Sequence, residues 1–422
     1  MKILHVAEKP TGGAAVAMLR LHRGLLAIGE DSSVLVAKGN PTDRRMRVWK
    51  GRMDPLSRLQ RRTRKMWLKR CAAKRASGAS FEFDLFSDDR TRFGNHIADA
   101  LNEVDVVNFH WVARFVDYSK LLPKLEVPVV YTLHDESAFT GGCHYDSGCE
   151  RWKEGCGKCP QLGSTQLHDF SARAWDRKRK AYRKIGSAGM TIVTPSKWLG
   201  NLASQSPLLD PLNVETIPYG VPTDIFCPMD RGRVREKLGL KKEDRVILFV
   251  AEWLDNKRKG FSVLAEALDG LEAPNGRRLV LLSVGGRFSK ELSGHVHVPM
   301  GAVESEETMA EIYNSADLFV APSLQDNLPN TVLESLACGT PVVGSDAGGI
   351  PDMVRHGETG WLFEVGNSES LRDVLSGAIE SDDCVTYRSR CREVVLEEYP
   401  MHLQAERYRE LYRESLSGRV EG

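Results

Sequence analysis

Two carboxylates, Asp326 and Glu334, stand eight residues apart in Asp326-Asn-Leu-Pro-Asn-Thr-Val-Leu-Glu334-Ser-Leu-Ala-Cys-Gly339. From Thr331 onward, Val332, Leu333, Leu336 and Ala337 form an apolar stripe at helical spacing. Gly339 fits the position just past a helix end, and Pro341 prevents the helix from continuing. The residues before the turn, Asp317-Leu-Phe-Val-Ala-Pro322, read as a strand. The turn therefore opens at the carboxyl edge of a sheet, where open α/β sheets bind ligands. A helix starting at Asn330 and Thr331 offers its first N–H groups and a partial positive charge to a phosphate. Glu334, one turn further in, reaches a neutral hydroxyl such as a ribose, and Asp326 points at whatever lies beyond the phosphates. A phosphate flanked by two polyols describes a nucleotide sugar. A surface helix with two solvated acids is the plainer alternative. It leaves the preceding strand and the subsequent Gly339-Thr-Pro-Val-Val-Gly-Ser-Asp-Ala-Gly-Gly-Ile-Pro351 without a purpose.

A departing diphosphate needs positive charge where its own charge develops. Phe249-Val-Ala-Glu-Trp-Leu-Asp-Asn-Lys-Arg-Lys259-Gly260 offers Arg258 and Lys259 just after another strand, whereas Lys257 reads as solvated. Gly12 and Gly13 follow the first strand and precede the first helix, so backbone N–H groups there can approach an anion closely. By itself the pair is also simply a tight turn. His134 ends the hydrophobic segment Tyr131-Thr-Leu-His134-Asp135, and His110 ends Val106-Val-Asn-Phe-His-Trp111. A single histidine at a strand end is more often structural than catalytic.

Cys143, Cys149, Cys156 and Cys159 gather four of the nine cysteines into one glycine-rich segment. The Cys-x2-Cys knuckle suits a tetrahedral structural zinc with no open position; redox-labile thiols or two disulfides are the alternatives. Arg44 to Arg75 is densely basic, with Leu56, Leu59, Met66, Trp67 and Leu68 as scattered apolar anchors. It suits either an amphipathic helix docking on an anionic membrane or a solvated helix beside an acceptor site. Arg173 to Lys184 has the same two readings.

These residues need elements to hold them. Strand-like and helix-like segments alternate along almost the whole chain, which predicts a parallel α/β architecture. The 422 residues exceed one ordinary core, and the 41% hydrophobic and 27% charged content fits a globular protein. A net charge of +1 gives no pull toward nucleic acid. No apolar run approaches a bilayer span, and Met1-Lys-Ile-Leu-His-Val-Ala7 lacks a signal-peptide profile. A cytoplasmic protein, peripheral at most to the inner face of the membrane, is expected. The expected division is an N-terminal domain over 1–212 with the Cys-rich insertion at 139–165, a second domain over 213–399, and a terminal helix at 400–418.

The segment from Asp326 to Glu334 resembles the acid-x7-Glu motif of family 4 retaining glycosyltransferases, which have the GT-B fold. Thr194-Pro-Ser-Lys-Trp198, Ile217-Pro-Tyr-Gly-Val-Pro-Thr-Asp-Ile-Phe226, Ser315-Ala-Asp317 and Gly357-Glu-Thr-Gly-Trp-Leu-Phe363 look like further landmarks of that family, in order. The resemblance implies two Rossmann-like parallel α/β domains facing a cleft, with the terminal helix packing back on the first. It implies a UDP- or GDP-sugar donor, a glycan or lipid-linked acceptor in polysaccharide biosynthesis, and no requirement for a catalytic divalent metal. By it, Asp326 holds sugar hydroxyls, Glu334 the ribose and Lys259 the diphosphate. His134 lines the donor-sugar pocket, and Gly12 with Gly13 contacts diphosphate or acceptor. Met300 to Glu307 resembles the segment that cradles the base. The family's arginine ahead of the lysine falls on Glu252, and Arg258 is the expected replacement. A nucleotide-sugar epimerase on the same fold and a non-catalytic nucleotide-binding interaction protein are the competing readings.

Overall fold

The structure, a computed structural model, describes residues 1–41, 43–51, 59, 62–64, 66, 85–286, 295–380 and 384–417. The chain divides into two compact units, Met1–Pro218 with the residues from Gln404 onward, and Tyr219–Leu403.

The first unit is built on seven strands, β1 (Lys2–Ala7), β2 (Asp31–Val36), β3 (Met46–Val48), β4 (Val106–Phe109), β5 (Val129–Thr132), β6 (Met190–Thr194) and β7 (Asn213–Thr216). All neighbours pair in parallel, in the order β3-β2-β1-β4-β5-β6-β7. Strands covered on both faces must be apolar almost throughout, and Val106–Phe109 and Val129–Thr132 are buried at every residue. One face packs Leu4, Val107, Phe109, Tyr131 and Ile192. The other packs Ile3, Val106, Val130 and Val193 against helices Gly13–Ala27 and Met401–Ser417. The terminal helix is also pinned by polar groups: Tyr412 accepts from Asn108 Nδ2 at 2.7 Å, and Tyr408 lies 2.9 Å from Thr132 Oγ1. Residues 213–216, expected to open the second domain, instead add β7 to the first sheet, so the division falls at Pro218.

In the second unit the order is β10 (Val296–Pro299), β9 (Leu279–Gly286), β8 (Arg245–Trp253), β11 (Leu318–Ala321), β12 (Val342–Ser345) and β13 (Gly360–Phe363), again all parallel. Ile247, Phe249, Leu281, Val320 and Val343 form its sheet core against helix Phe261–Leu268 and helix Ser368–Glu380.

The zinc expectation finds no support in the structure. Among the described residues no group of three or more His, Cys, Asp or Glu side chains is placed to hold a metal ion. Cys143, Cys149, Cys156 and Cys159 are free thiols. Burial pushes the Cys159 thiol up to about 11 and Cys156 to about 12, and raises Cys143 well above its ordinary value. Hydrogen bonds hold the insertion instead. Asp146 accepts from Trp152 Nε1 at 2.9 Å, Asp169 from the Cys159 amide at 2.8 Å, and Lys178 Nζ donates to the Ser137 and Thr140 carbonyls at 2.5 and 3.1 Å. Trp152, 1% exposed, is the apolar plug beneath it.

The basic stretch from Arg44 to Arg75 lies largely outside the described residues. Several cations of the second cluster have internal partners: Arg177 pairs with buried Asp89 at 2.6 Å, and Arg179 and Lys180 pair with Asp176. Among the described residues no helix is long and apolar enough to cross a membrane.

Candidate active site

Beyond β8 the chain turns through a short helical segment, Lys257–Lys259, capped by Asn256, whose Oδ1 accepts from the Arg258 amide at 3.0 Å. Gly260 ends it at φ 71°, where a Cβ would sit 1.7 Å from the Pro322 carbonyl oxygen. Only glycine lets the two loops approach this closely. The loops are then laced together: the Leu324 amide donates to the Arg258 carbonyl, and Arg258 Nη1 to the Gln325 carbonyl, both at 2.8 Å.

That lacing brings both cations to one acid. Lys259 Nζ donates to Asp326 Oδ2 at 2.5 Å, and Arg258 Nη1 lies 3.3 Å from Oδ1. Oδ1 also accepts from the Asn327 amide at 3.1 Å. Burial alone would raise the Asp326 carboxyl, but Lys259 and Arg258 outweigh it and hold it at about 2. The acid is thus an ionised, fixed acceptor, and the three side chains together carry one positive charge. Its backbone is equally fixed. The Gly349 amide donates to the Asp326 carbonyl at 3.0 Å, and at Gly348, φ 59°, a Cβ would fall 1.8 Å from that oxygen.

Helix Asn330–Ala337 begins after Pro329, which supplies no side-chain cap, so Asn330 and Thr331 form a half-buried first turn. Glu334 is 7% exposed, and its Oε2 accepts from Tyr313 Oη at 2.9 Å. Tyr313 is fully buried on helix Glu306–Ser315, edge-on to Phe319 and Phe226. The sequence reading did not see Tyr313 as a partner of Glu334; an aromatic with a polar tip on a buried helix face was the available signal. Glu252, at the position of the expected arginine, is exposed. The cation that joins Lys259 beside Asp326 is Arg258.

The remaining candidates lie in the first unit. Gly12 adopts φ 91° at the head of helix Gly13–Ala27, whose first turn has neither a side-chain cap nor an acid. His134 follows β5, and its Nε2 lies 3.0 Å from His110 Nδ1; His110 Nε2 lies 2.9 Å from His5 Nδ1. His5 was missed by the sequence reading, although a histidine inside Ile3-Leu-His-Val6 is an odd member of a buried strand. Next door, Asp135 accepts from Trp111 Nε1 at 2.7 Å, the Ser137 amide at 2.9 Å and His144 Nδ1 at 2.5 Å, and His144 Nε2 lies 2.8 Å from Ser87 Oγ. Ser87, His144 and Asp135 have the connectivity of a nucleophile, base and acid. With Ser87 at 7% and His144 at 2% exposure, the set is buried and fastens the insertion to the strand end.

Residues 244–381 match the family described as Glycosyl transferases group 1. The D-inositol 3-phosphate glycosyltransferase of Actinosynnema mirum is 35% identical over 181 residues, 40% of this chain and 43% of that one. That of Mycobacterium bovis is 33% identical over 175 residues, 39% of this chain and 36% of that one. The matched segment thus spans less than half of these relatives. Among solved structures, Anabaena HepE in complex with UDP and glucose superimposes with a TM-score of 0.65 at 15% identity, covering 98% of this chain and 100% of that one. Sucrose-phosphate synthase from Thermosynechococcus elongatus gives 0.66 at 16% identity, covering 99% and 100%. Residues 244–381 are thus similar to the group 1 glycosyltransferases, and the fold of the chain is GT-B.

Proposed function

We propose that this protein is a retaining glycosyltransferase that moves a sugar from a nucleoside-diphosphate donor to a glycan or lipid-linked oligosaccharide in polysaccharide biosynthesis. The observation that carries this reading is the convergence of Lys259 and Arg258 on Asp326 within the family-matched residues. Lys259, Arg258 and the uncapped first turn at Asn330 and Thr331 supply positive charge to the leaving diphosphate. Glu334, oriented by Tyr313, holds the ribose, and Asp326 accepts from sugar hydroxyls. His134 serves the transferred sugar, and the Gly12–Gly13 turn serves diphosphate or acceptor. HepE's complex with UDP and glucose favours a uridine donor over a guanosine one.

The state of Asp326 argues against a covalent intermediate on that acid, and retention then calls for a route without one. A carboxylate held at about 2 by two cations is a weak nucleophile, unlike the second acid of a retaining glycosidase. The proposed route is front-face departure. The bond from the anomeric carbon to the phosphate oxygen breaks with its electrons going to the diphosphate. The acceptor oxygen bonds on the same face, and its proton passes to the departing phosphate. The protein contributes position and charge.

Thermal unfolding with UDP, GDP, dTDP or ADP tests the donor site. A nucleotide at 100 times its Kd stabilises the native state by about 2.7 kcal/mol. One nucleotide should raise the Tm of the wild type and leave Glu334→Ala unmoved; no response to any of the four would overturn the assignment. Product NMR should show the donor's anomeric configuration, and an inverted linkage would refute retention.

A further inference from the structure

We infer that Lys38 and Arg114, gathered by Glu8 at the carboxyl edge of the first sheet, bind an anionic group of the acceptor, a phosphate or a carboxylate. The inference deepens the proposed function and rests on it for the claim that this edge meets an acceptor.

The three residues follow three strands that lie side by side. In the parallel register Val6 of β1 stands beside Leu35 of β2 and Phe109 of β4, so Glu8, Lys38 and the turn from Trp111 to Arg114 leave the sheet together. The hydrogen bonds run on past the strand ends. The Lys38 amide donates to the Glu8 carbonyl at 3.1 Å, and the Glu8 amide to the Trp111 carbonyl at 2.9 Å. The Glu8 side chain is 6% exposed and draws both cations to one oxygen: Lys38 Nζ lies 3.0 Å from Oε1, and Arg114 Nη1 4.0 Å. One cation would balance that carboxylate. Two leave a positive charge over, carried on side chains that are 56% and 40% exposed. Among the described residues neither cation pairs with another acid.

The surroundings have the same sign. Gly12, on the loop that follows Glu8, heads helix Gly13–Ala27, whose first turn contains no acid, so the helix adds partial positive charge to that of the cations. Asp135, the other acid at this edge, already accepts from Trp111 Nε1, the Ser137 amide and His144 Nδ1. Arg114 holds φ 70°, a backbone that is costly for a residue with a side chain, and its guanidinium lies 6.0 Å from the centre of the half-buried Trp111 ring. A planar guanidinium fork with a lysine point charge beside it suits a phosphate or carboxylate, whereas a neutral hydroxyl gains little from the surplus charge.

The test is calorimetric titration of the full-length protein, with and without saturating UDP, by glucose 6-phosphate, glucuronate and glucose. Expected is binding of glucose 6-phosphate or glucuronate at least about tenfold tighter than glucose, the size of one charge-assisted hydrogen bond. Lys38→Gln and Arg114→Gln should each remove most of that preference. Equal binding of charged and neutral sugars, no binding of either anionic sugar, or an unchanged preference in the variants would overturn the inference. A loss of UDP affinity in the same variants would also overturn it, since it would assign the cations to the donor diphosphate. Lys38→Gln alters an exposed side chain, so it keeps the test decisive even if Arg114→Gln does not fold. The Glu334-dependent nucleotide response separates the two readings. Anion binding that needs Lys38 and Arg114, in a protein that responds to no nucleotide, would leave the anion site standing and count against the glycosyltransferase reading.

Discussion

Replacing Lys259 by Met keeps most of its side-chain volume and removes the charge that lies 2.5 Å from Asp326. The carboxyl falls from an ordinary 3.8 to about 2, first against the cost of burial and then by attraction to Lys259 and Arg258. At 1.36 kcal/mol per pKa unit that is about 2 kcal/mol of folded-state stabilisation at neutral pH. Lys259 is the larger of the two cationic influences, and its side chain is 25% exposed, so solvent screening leaves about 1–2 kcal/mol for the substitution. For a unit of this size, about 1 kcal/mol moves Tm by about 2–4 °C, which gives a drop of about 2–8 °C by calorimetry. The sign with pH is fixed. The folded pKa lies below the unfolded one, so the contribution is complete above about pH 4 and is lost as pH falls through about 2. The gap between wild type and Lys259→Met should narrow correspondingly in acid. Asp326→Asn combined with Lys259→Met should cost less than the sum of the two single changes, because neither leaves an unbalanced charge in the other's presence. An unchanged Tm for Lys259→Met at pH 7, or strict additivity in the double variant, would refute this account of the site.

Gly348→Ala places a Cβ 1.8 Å from the Asp326 carbonyl at φ 59°, so it should lower Tm and weaken turnover of the nucleotide sugar together. Gly29→Ala is its control, with φ 86° but nothing within 4 Å; it should show only the conformational cost of about 1–2 kcal/mol, with full activity, and equal activities in the two variants would contradict this role for Gly348. Tyr313→Phe removes the 2.9 Å hydrogen bond to Glu334 and should weaken nucleotide binding roughly tenfold by isothermal titration, about 1.4 kcal/mol. Unaltered affinity would remove Tyr313 from the site. Arg258→Ala should lower kcat by at least about tenfold, given the roughly 10²–10³-fold cost of losing a charge-stabilising donor elsewhere. Turnover at the wild-type rate would show that Arg258 does not replace the cation missing at Glu252.

The alternation of strands and helices was legible in the amino-acid order because burial on both sheet faces leaves little choice of residue. Leu318–Ala321 is an apolar run for that reason, Val106–Phe109 is one interrupted only by Asn108, and both are strands. Asp326 and Glu334 were legible because their spacing is local: a turn, a helix start and one helical turn fix their relation. Gly260 and Gly348 stand in the sequence as bare glycines. What they make room for, the Pro322 and Asp326 carbonyls, belongs to segments distant in the chain.

What spacing could not give was convergence across the fold. Lys259 and Asp326 are 67 residues apart and meet because β8 and β11 are neighbours in the sheet. His5 and His110 are 105 residues apart and meet because β1 pairs with β4. The cysteine segment shows the converse. Its Cys-x2-Cys knuckle sits in a suitable local sequence, but Trp152, Asp146 and Asp169 set the path of the backbone, and the described thiols do not form a metal site. Amino-acid order was enough to assign strands, helices and the acids at a helix start, since each depends on neighbours a few residues away. Strand order, the pairing of Asp326 with its two cations and the line of three histidines came from folding, because only packing of the sheets brings residues so far apart in the chain to hydrogen-bonding distance.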